Sequence, residues 1–172
     1  MIPIRPLVLV AYGSRNGATA AIASRLGDDL RAHGCEADVR PAADVDDITR
    51  YDAVIIGGAL CSSHWHGDAR RLAARARWTL RHRPVWLFSS GPLDTSAAEH
   101  DIPPVPFVRR TATRIGARGH VTFGGCLGAH PKGWPARAAF NSGRGGDFRD
   151  VGRIDAWAET IAHEVVTERT TA

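Results

Sequence analysis

Short apolar runs alternate with amphipathic segments along the chain. Residues 6–12 (PLVLVAY), 51–60 (YDAVIIGGAL), 84–90 (PVWLFSS) and 120–125 (HVTFGG) are rich in β-branched or aromatic residues and stop at Gly or Ser. Continuous apolar runs of this length fit strands covered on both faces, which implies a parallel sheet. Residues 36–41 (EADVRP) alternate instead and predict a strand near the sheet edge. Between Ala18 and His33 the residues Ile22, Leu26 and Leu30 recur at four-residue spacing, and Gly34 is a helix stop. Residues 68–82 (DARRLAARARWTLRH) and 150–169 read as two further helices, the latter with Ile154, Trp157, Ile161 and Val165 on one stripe. A fourth helix covers about 105–116. Strands alternating with helices predict a doubly wound α/β domain with right-handed crossovers. Five strands, with a long helix directly after the first, suit a three-layer sandwich with a five-stranded parallel sheet of order 2-1-3-4-5.

Composition sharpens this picture without changing it. With 172 residues, 44% hydrophobic and 23% charged, the chain suits one globular domain over 1–172. No apolar run approaches the roughly 20 residues that span a bilayer. The N-terminal MIPIRPLVLV leads into polar turn chemistry rather than a small-residue cleavage site, so it reads as the first core strand of a cytoplasmic protein. Cys35, Cys61 and Cys126 are widely spaced and form no CxxC pair, so neither a disulfide framework nor a zinc site follows. The net charge of +4 favours acidic partners, anionic ligands or an anionic membrane surface. No nucleic-acid motif accompanies that charge, and nucleic acid is not an expected partner.

Candidate chemistry gathers in the turns after the strands. In SRNGAT, Ser14, Asn16 and Thr19 surround Gly17 at the start of the first helix. A phosphate needs converging N–H and O–H donors and an unobstructed backbone, which this stretch offers at a helix N-terminus. Plain helix capping by Ser or Asn fits the same residues, and the stretch alone does not decide between the two. It has neither the Lys of a P-loop nor the spaced glycines of a dinucleotide fingerprint. In a doubly wound sheet, ligands sit outside the carboxyl ends of the strands near the reversal of strand order. There the third strand ends in GGALCSSHWHG (57–67) and the fourth in SSGPLD (89–94), both able to bring backbone donors to a flat heterocycle. Trp65 is a candidate wall for a stacked ring.

His64 and His66 lack an evident third partner for a metal, so pocket-lining loop histidines or a proton donor are the better readings. Cys61 is a redox thiol or, more commonly for such a residue, a packing residue. Two stretches, 91–104 and the Gly-rich 126–149, read as irregular loops, a length usually tied to function or mobility. The helix from Asp68 to His82 presents Ala69, Leu72, Ala73, Ala76 and Leu80 on one face. It sets Trp78 among Arg71, Arg75 and Arg81 on the other, as a partner or membrane-surface contact or as a Trp tucked under a loop on a solvated face.

SRNGAT, IGGALCSSHWH, PVWLFSSGPL and GDFRDVGRIDAWAETIA together resemble the flavodoxin superfamily over nearly the whole chain. Within it they are most similar to the flavodoxin-domain branch of menaquinone-dependent protoporphyrinogen dehydrogenases, including an actinobacterial group. The resemblance implies a flavodoxin-like fold and FMN as cofactor. Its phosphate would lie on Ser14, Arg15, Asn16, Gly17, Ala18 and Thr19. The isoalloxazine would lie on Gly58, Ala59, Leu60, Cys61, Ser62 and Trp65 and on Ser89, Ser90, Gly91, Pro92 and Leu93. Where that branch usually places a Tyr in the second flavin loop, this chain has Cys61 or Ser62. That departure implies weaker flavin binding or a substitute role for Trp65. The implied activity is an FMN-dependent oxidoreductase acting on a quinone or protoporphyrinogen-type substrate. The alternatives are a flavodoxin-type electron carrier, or a protein of this fold that binds a deazaflavin coenzyme or no flavin. Expected partners are a small-molecule or quinone electron acceptor, a protein redox partner, a membrane surface met peripherally, and a second copy of the chain.

Overall fold

A computed structural model describes residues 2–15, 17–91, 95–127, 146–147 and 149–172. The chain runs β1 (Leu7–Gly13), α1 (Ala18–Ala32), β2 (Glu36–Pro41), a 3-10 turn (Ala42–Asp44), β3 (Ala53–Cys61) and β4 (His64–Trp65). It continues through α2 (Gly67–Arg75), α3 (Arg77–Leu80), β5 (Val85–Ser90), α4 (Ser96–Glu99), α5 (Pro106–Ile115) and β6 (Gly119–Phe123). The last elements are β7 (Cys126–Leu127), β8 (Gly146–Asp147) and α6 (Val151–Thr171). The main sheet has the order β2-β1-β3-β5-β6, all parallel, which is the expected 2-1-3-4-5 arrangement with the short β4 added antiparallel beside β3. β7 and β8 form a separate antiparallel pair.

Alternate residues of the central strands feed two cores, one on each face. Val8, Val10, Ile55, Phe88 and Phe123 pack against Ile22, Leu26 and Leu30 of α1 and Ile154, Ile161 and Val165 of α6. Leu9, Ala11, Val54, Ile56 and Leu87 pack against Leu72 of α2, Leu80 of α3, and Val108 and Ile115 of α5. β2 is an edge strand with no fully buried residue, as its alternating sequence implies. A bidentate ion pair ties α1 to α6, with Arg25 Nε and Nη2 each 2.7 Å from the Asp155 carboxylate. Among the described residues, no helix is long and apolar enough to cross a membrane.

The structure departs from the sequence reading in three places. The helix expected over 68–82 is two, broken at Ala76, whose φ of −95° and ψ of 7° leave the helical range. The apolar face continues through the break, from Leu72 to Leu80, which is why periodicity alone cannot detect it. The β3–β4 hairpin was not expected, because its return strand is two residues long. The stretch expected to be irregular over 91–104 contains α4 and acts as a strap over the exposed edge of β6. Arg153 of α6 binds the carbonyls of Ala97 and His100 and the carboxylate of Asp101, and Thr122 Oγ1 donates to the carbonyl of Ile102 at 3.2 Å. Covering an edge strand in this way blocks edge-to-edge pairing. Of the 126–149 stretch, β7, β8 and Arg149 fall within the described residues.

Candidate functional site

Sheet register brings three loops together. Gly13 pairs with Gly58, Gly58 with Ser89, and Ser89 with Thr122, so the carboxyl ends of β1, β3, β5 and β6 lie in one row. The segments leaving that row are SRNGAT, the β3–β4 hairpin and the turn after Ser90.

At the first loop, Gly17 occupies the N-cap position of α1 with φ 87°, in the left-handed region that glycine adopts without strain. A Cβ there would meet no heavy atom of the other described residues within 4 Å, so backbone conformation, and not crowding, calls for glycine. Ser14 does not cap the helix. Its Oγ accepts the Gly17 N–H at 3.0 Å and closes the turn before the helix begins. Among the described residues no side chain caps α1, and its first turn holds no acidic residue, so none of them compensates the first-turn N–H groups or the positive end of the helix dipole. Beside them Thr19 is 1% exposed, and its Oγ1 has no hydrogen-bond partner among the described residues. Leaving a buried hydroxyl unpaired costs on the order of 1–3 kcal/mol. Backbone donors, dipole and hydroxyl together favour an anion at this position.

At the second loop, β3 turns back through Ser62 and Ser63 so that Cys61 pairs with His64 and Leu60 with Trp65. Both serines have positive φ, 48° and 62°, the geometry of a type I′ hairpin turn in which Asn-Gly is preferred. His64 Nδ1 lies 2.8 Å from the Ser62 carbonyl. Cys61, Ser62 and His64 are exposed, whereas Ala59 and Leu60 are half-buried. Trp65 is the residue whose surroundings differ most from expectation. It is 2% exposed and belongs to the core that α2 and α5 cover, with its indole packed over Gly58, where a Cβ would come within 2.6 Å of the ring. The feature offered as an open stacking wall is therefore enclosed. Alternation carries the reason, since Trp65 stands opposite Leu60 and points to the inner face of the hairpin.

At the third loop, Ser89 and Ser90 are 1% and 4% exposed, and the Gly91 N–H donates to the Phe123 carbonyl at 3.2 Å. Leu60 lies against Gly91, which joins the second loop to the third. Ser89 Oγ is 2.9 Å from His120 Nε2. Burial pushes the His120 imidazole down to about 4, so it is neutral near pH 7, and its Nδ1 has no partner among the described residues. Nothing in the sequence pairs Ser89 with His120, since they meet only through the β5–β6 register. Asn16, Pro92 and Leu93, also expected at this site, lie outside the described residues. Arg15 is exposed and Ala18 half-buried.

The H-x-H pair is divided by the hairpin. His66 is half-buried over Gly13, and its Nδ1 accepts the Asp68 N–H at 3.3 Å, which caps α2. Among the described residues, no three His, Cys, Asp or Glu side chains are grouped to hold a metal ion.

A parallel sheet of this order, with an anion-favouring loop after its first strand and two further loops beside it, defines the flavodoxin-like class of α/β proteins. Residues 9–128 match the flavodoxin domain family, and the chain belongs to that family. FMN is the cofactor of that family, and the uncapped α1 terminus with its unpaired Thr19 hydroxyl fits the phosphate of such a cofactor.

Among solved structures, a flavodoxin from the domain Archaea is 13% identical with a TM-score of 0.59, over 92% of this chain and 98% of that one. Rubredoxin:oxygen oxidoreductase from Desulfovibrio gigas is 17% identical with a TM-score of 0.66, over 98% of this chain and 38% of that one. These likenesses establish the fold alone. The AMB antimetabolite synthetase AmbE of Pseudomonas aeruginosa is 37% identical over 83 residues, which are 48% of this chain and 4% of that protein.

Proposed function

We propose that this chain is an FMN-dependent oxidoreductase whose substrate is a quinone or a protoporphyrinogen-type compound. The observation that carries the reading is the Ser14–Thr19 turn, where a left-handed Gly17, an uncapped helix and an unpaired buried hydroxyl favour a phosphate. In this reading Ser14, Arg15, Asn16, Gly17, Ala18 and Thr19 hold the phosphate of FMN. Gly58, Ala59, Leu60, Cys61 and Ser62, with Ser89, Ser90, Gly91, Pro92 and Leu93, border its ring system, and Trp65 supports the hairpin from beneath.

When bound, FMN supplies the capacity to accept and release electrons one or two at a time. The protein orients it and limits access. Ser89, 2.9 Å from His120 Nε2, holds the base of the third loop. The strap over 95–104 bounds the approach on the β6 side. The similarity to menaquinone-dependent protoporphyrinogen dehydrogenases supports this substrate class.

Reconstitution with FMN followed by turnover assays tests the reading. Steady oxidation of protoporphyrinogen with menadione as acceptor, and no added protein, is the expected result. Failure to turn over either compound while FMN remains bound contradicts the enzyme reading and favours a second one, an electron carrier between proteins.

A further inference from the structure

The geometry points to a second anion site, on the face of the sheet opposite α1, that takes a phosphate-bearing ligand in the crevice between α2 and α5. This inference does not depend on the oxidoreductase reading.

Most described arginines have a partner. Arg5, Arg25, Arg31, Arg40, Arg50, Arg71, Arg118, Arg149, Arg153 and Arg169 face carboxylates. Arg75 and Arg83 bind backbone carbonyls. Apart from Arg15 in the first cofactor loop, the arginines with no carboxylate or carbonyl partner among the described residues are Arg70, Arg77, Arg81, Arg109, Arg110 and Arg114. All six lie on α2, α5, or α3 and its C-cap. The one acid in the first turn of α2, Asp68, is taken by Arg71.

Three of these arginines, Arg70, Arg77 and Arg114, converge on a single crevice of about 80 Å³. Phe107, Thr111 and Ile115 of α5 and Ala73 and Ala74 of α2 complete its lining. Aromatic rings pre-position two of the guanidiniums. Arg70 lies 5.6 Å from the centroid of Phe107, and Arg77 lies 4.7 Å from the centroid of Trp78. The Arg81 guanidinium lies 6.0 Å from the same Trp78 centroid. Stacking of this kind holds a guanidinium plane while leaving its N–H edge available for a bidentate acceptor.

Like charges placed together repel and raise the energy of the folded state unless a counter-charge joins them. A phosphate group matches the fork of each guanidinium and is small enough for the crevice. Trp78, whose ring lies against the Arg77 guanidinium, is 63% exposed, and it is the only large exposed apolar residue on α2, α3 or α5. It sets an exposed apolar ring next to one of the crevice arginines.

The ligand chemistry is a phosphate mono- or diester, supplied either by a soluble phosphorylated compound or by an anionic lipid headgroup. The test uses the full chain saturated with FMN, so that the first loop is occupied. One arm is calorimetric titration with pyrophosphate. The other is co-sedimentation with phosphatidylglycerol–phosphatidylcholine vesicles against phosphatidylcholine alone. Each is run on the wild type and on Arg70→Gln/Arg114→Gln.

Saturable pyrophosphate binding that weakens about tenfold or more in the double variant is the expected result. FMN affinity should stay unchanged and the melting temperature should hold or rise as the repulsion is relieved, which separates this site from the first loop. Vesicle binding that falls in the double variant and in Trp78→Ala, and that pyrophosphate displaces, assigns the source as lipid; pyrophosphate binding without vesicle binding assigns it as soluble. No saturable binding in either arm, or equal binding by wild type and double variant, overturns the proposal.

Discussion

At the β1–α1 end of the cofactor loops, structure is relaxed and polarity is left open. Gly17 takes its left-handed conformation without strain, and among the described residues none caps the helix and none partners the Thr19 hydroxyl. At the β3–β4 end the reverse holds. Ser62 and Ser63 are held at positive φ although neither is glycine, and the aromatic residue of the loop faces inward. The first end offers donors suited to an anion, while the second is committed to its own packing. In the proposed reading, anchorage by the phosphate outweighs anchorage by ring stacking.

The largest expected effect tests the second end. Trp65→Ala should cost about 3–5 kcal/mol of stability by opening a core cavity. Trp65→Phe should keep most of that stability and leave FMN affinity nearly unchanged. Chemical denaturation beside an FMN titration checks both. Loss of flavin affinity at constant stability would instead make Trp65 a stacking residue and erase the contrast.

Thr19→Val tests the first end. FMN affinity should fall by about 1.5–3 kcal/mol, the worth of a hydrogen bond to a charged group. The cofactor-free protein should be as stable as the wild type or about 1 kcal/mol more so, because an unpaired buried hydroxyl is gone. Equal loss of stability with and without FMN would show that Thr19 serves the fold alone.

The third loop adds a pH dependence that the first lacks. His120 ordinarily titrates near 6.5 and in the fold is pushed down to about 4 by burial. Between those values the unfolded chain binds the additional proton, so the contribution is complete above 6.5 and is lost as pH falls toward 4. From pH 7 to pH 5 the loss is about 2 kcal/mol. His120→Gln should flatten that part of the stability profile, measured by urea denaturation at each pH. The smallest effect belongs to the hairpin turn. Ser62→Asn with Ser63→Gly should raise stability by about 1 kcal/mol through relief of left-handed strain.

Much of this contrast was legible in the chain itself. Continuous apolar runs such as VIIGG and VWLFSS mark strands buried on both faces, and their order follows from the alternation with helices. The turn around Gly17 was recognisable because glycine among hydroxyl and amide residues after a strand is a local signal. Local signals do not reveal partners that meet through register. Ser89 and His120 are 31 residues apart, and Arg153 reaches Asp101 from 52 residues away. The direction of Trp65 was hidden for a related reason. A two-residue return strand is too short to display a period, so only the pairing with Leu60 fixes which way its side chain points. The break at Ala76 was masked because both short helices keep one apolar face.

The central claim is that the phosphate end dominates cofactor binding, and comparing FMN with riboflavin tests it most directly. The two ligands share the ring system and differ by the phosphate. Calorimetric titration of the cofactor-free protein should give FMN an affinity at least about a hundredfold higher than riboflavin, as two charge-assisted hydrogen bonds imply. Equal affinities would place the binding energy on the ring and contradict the account.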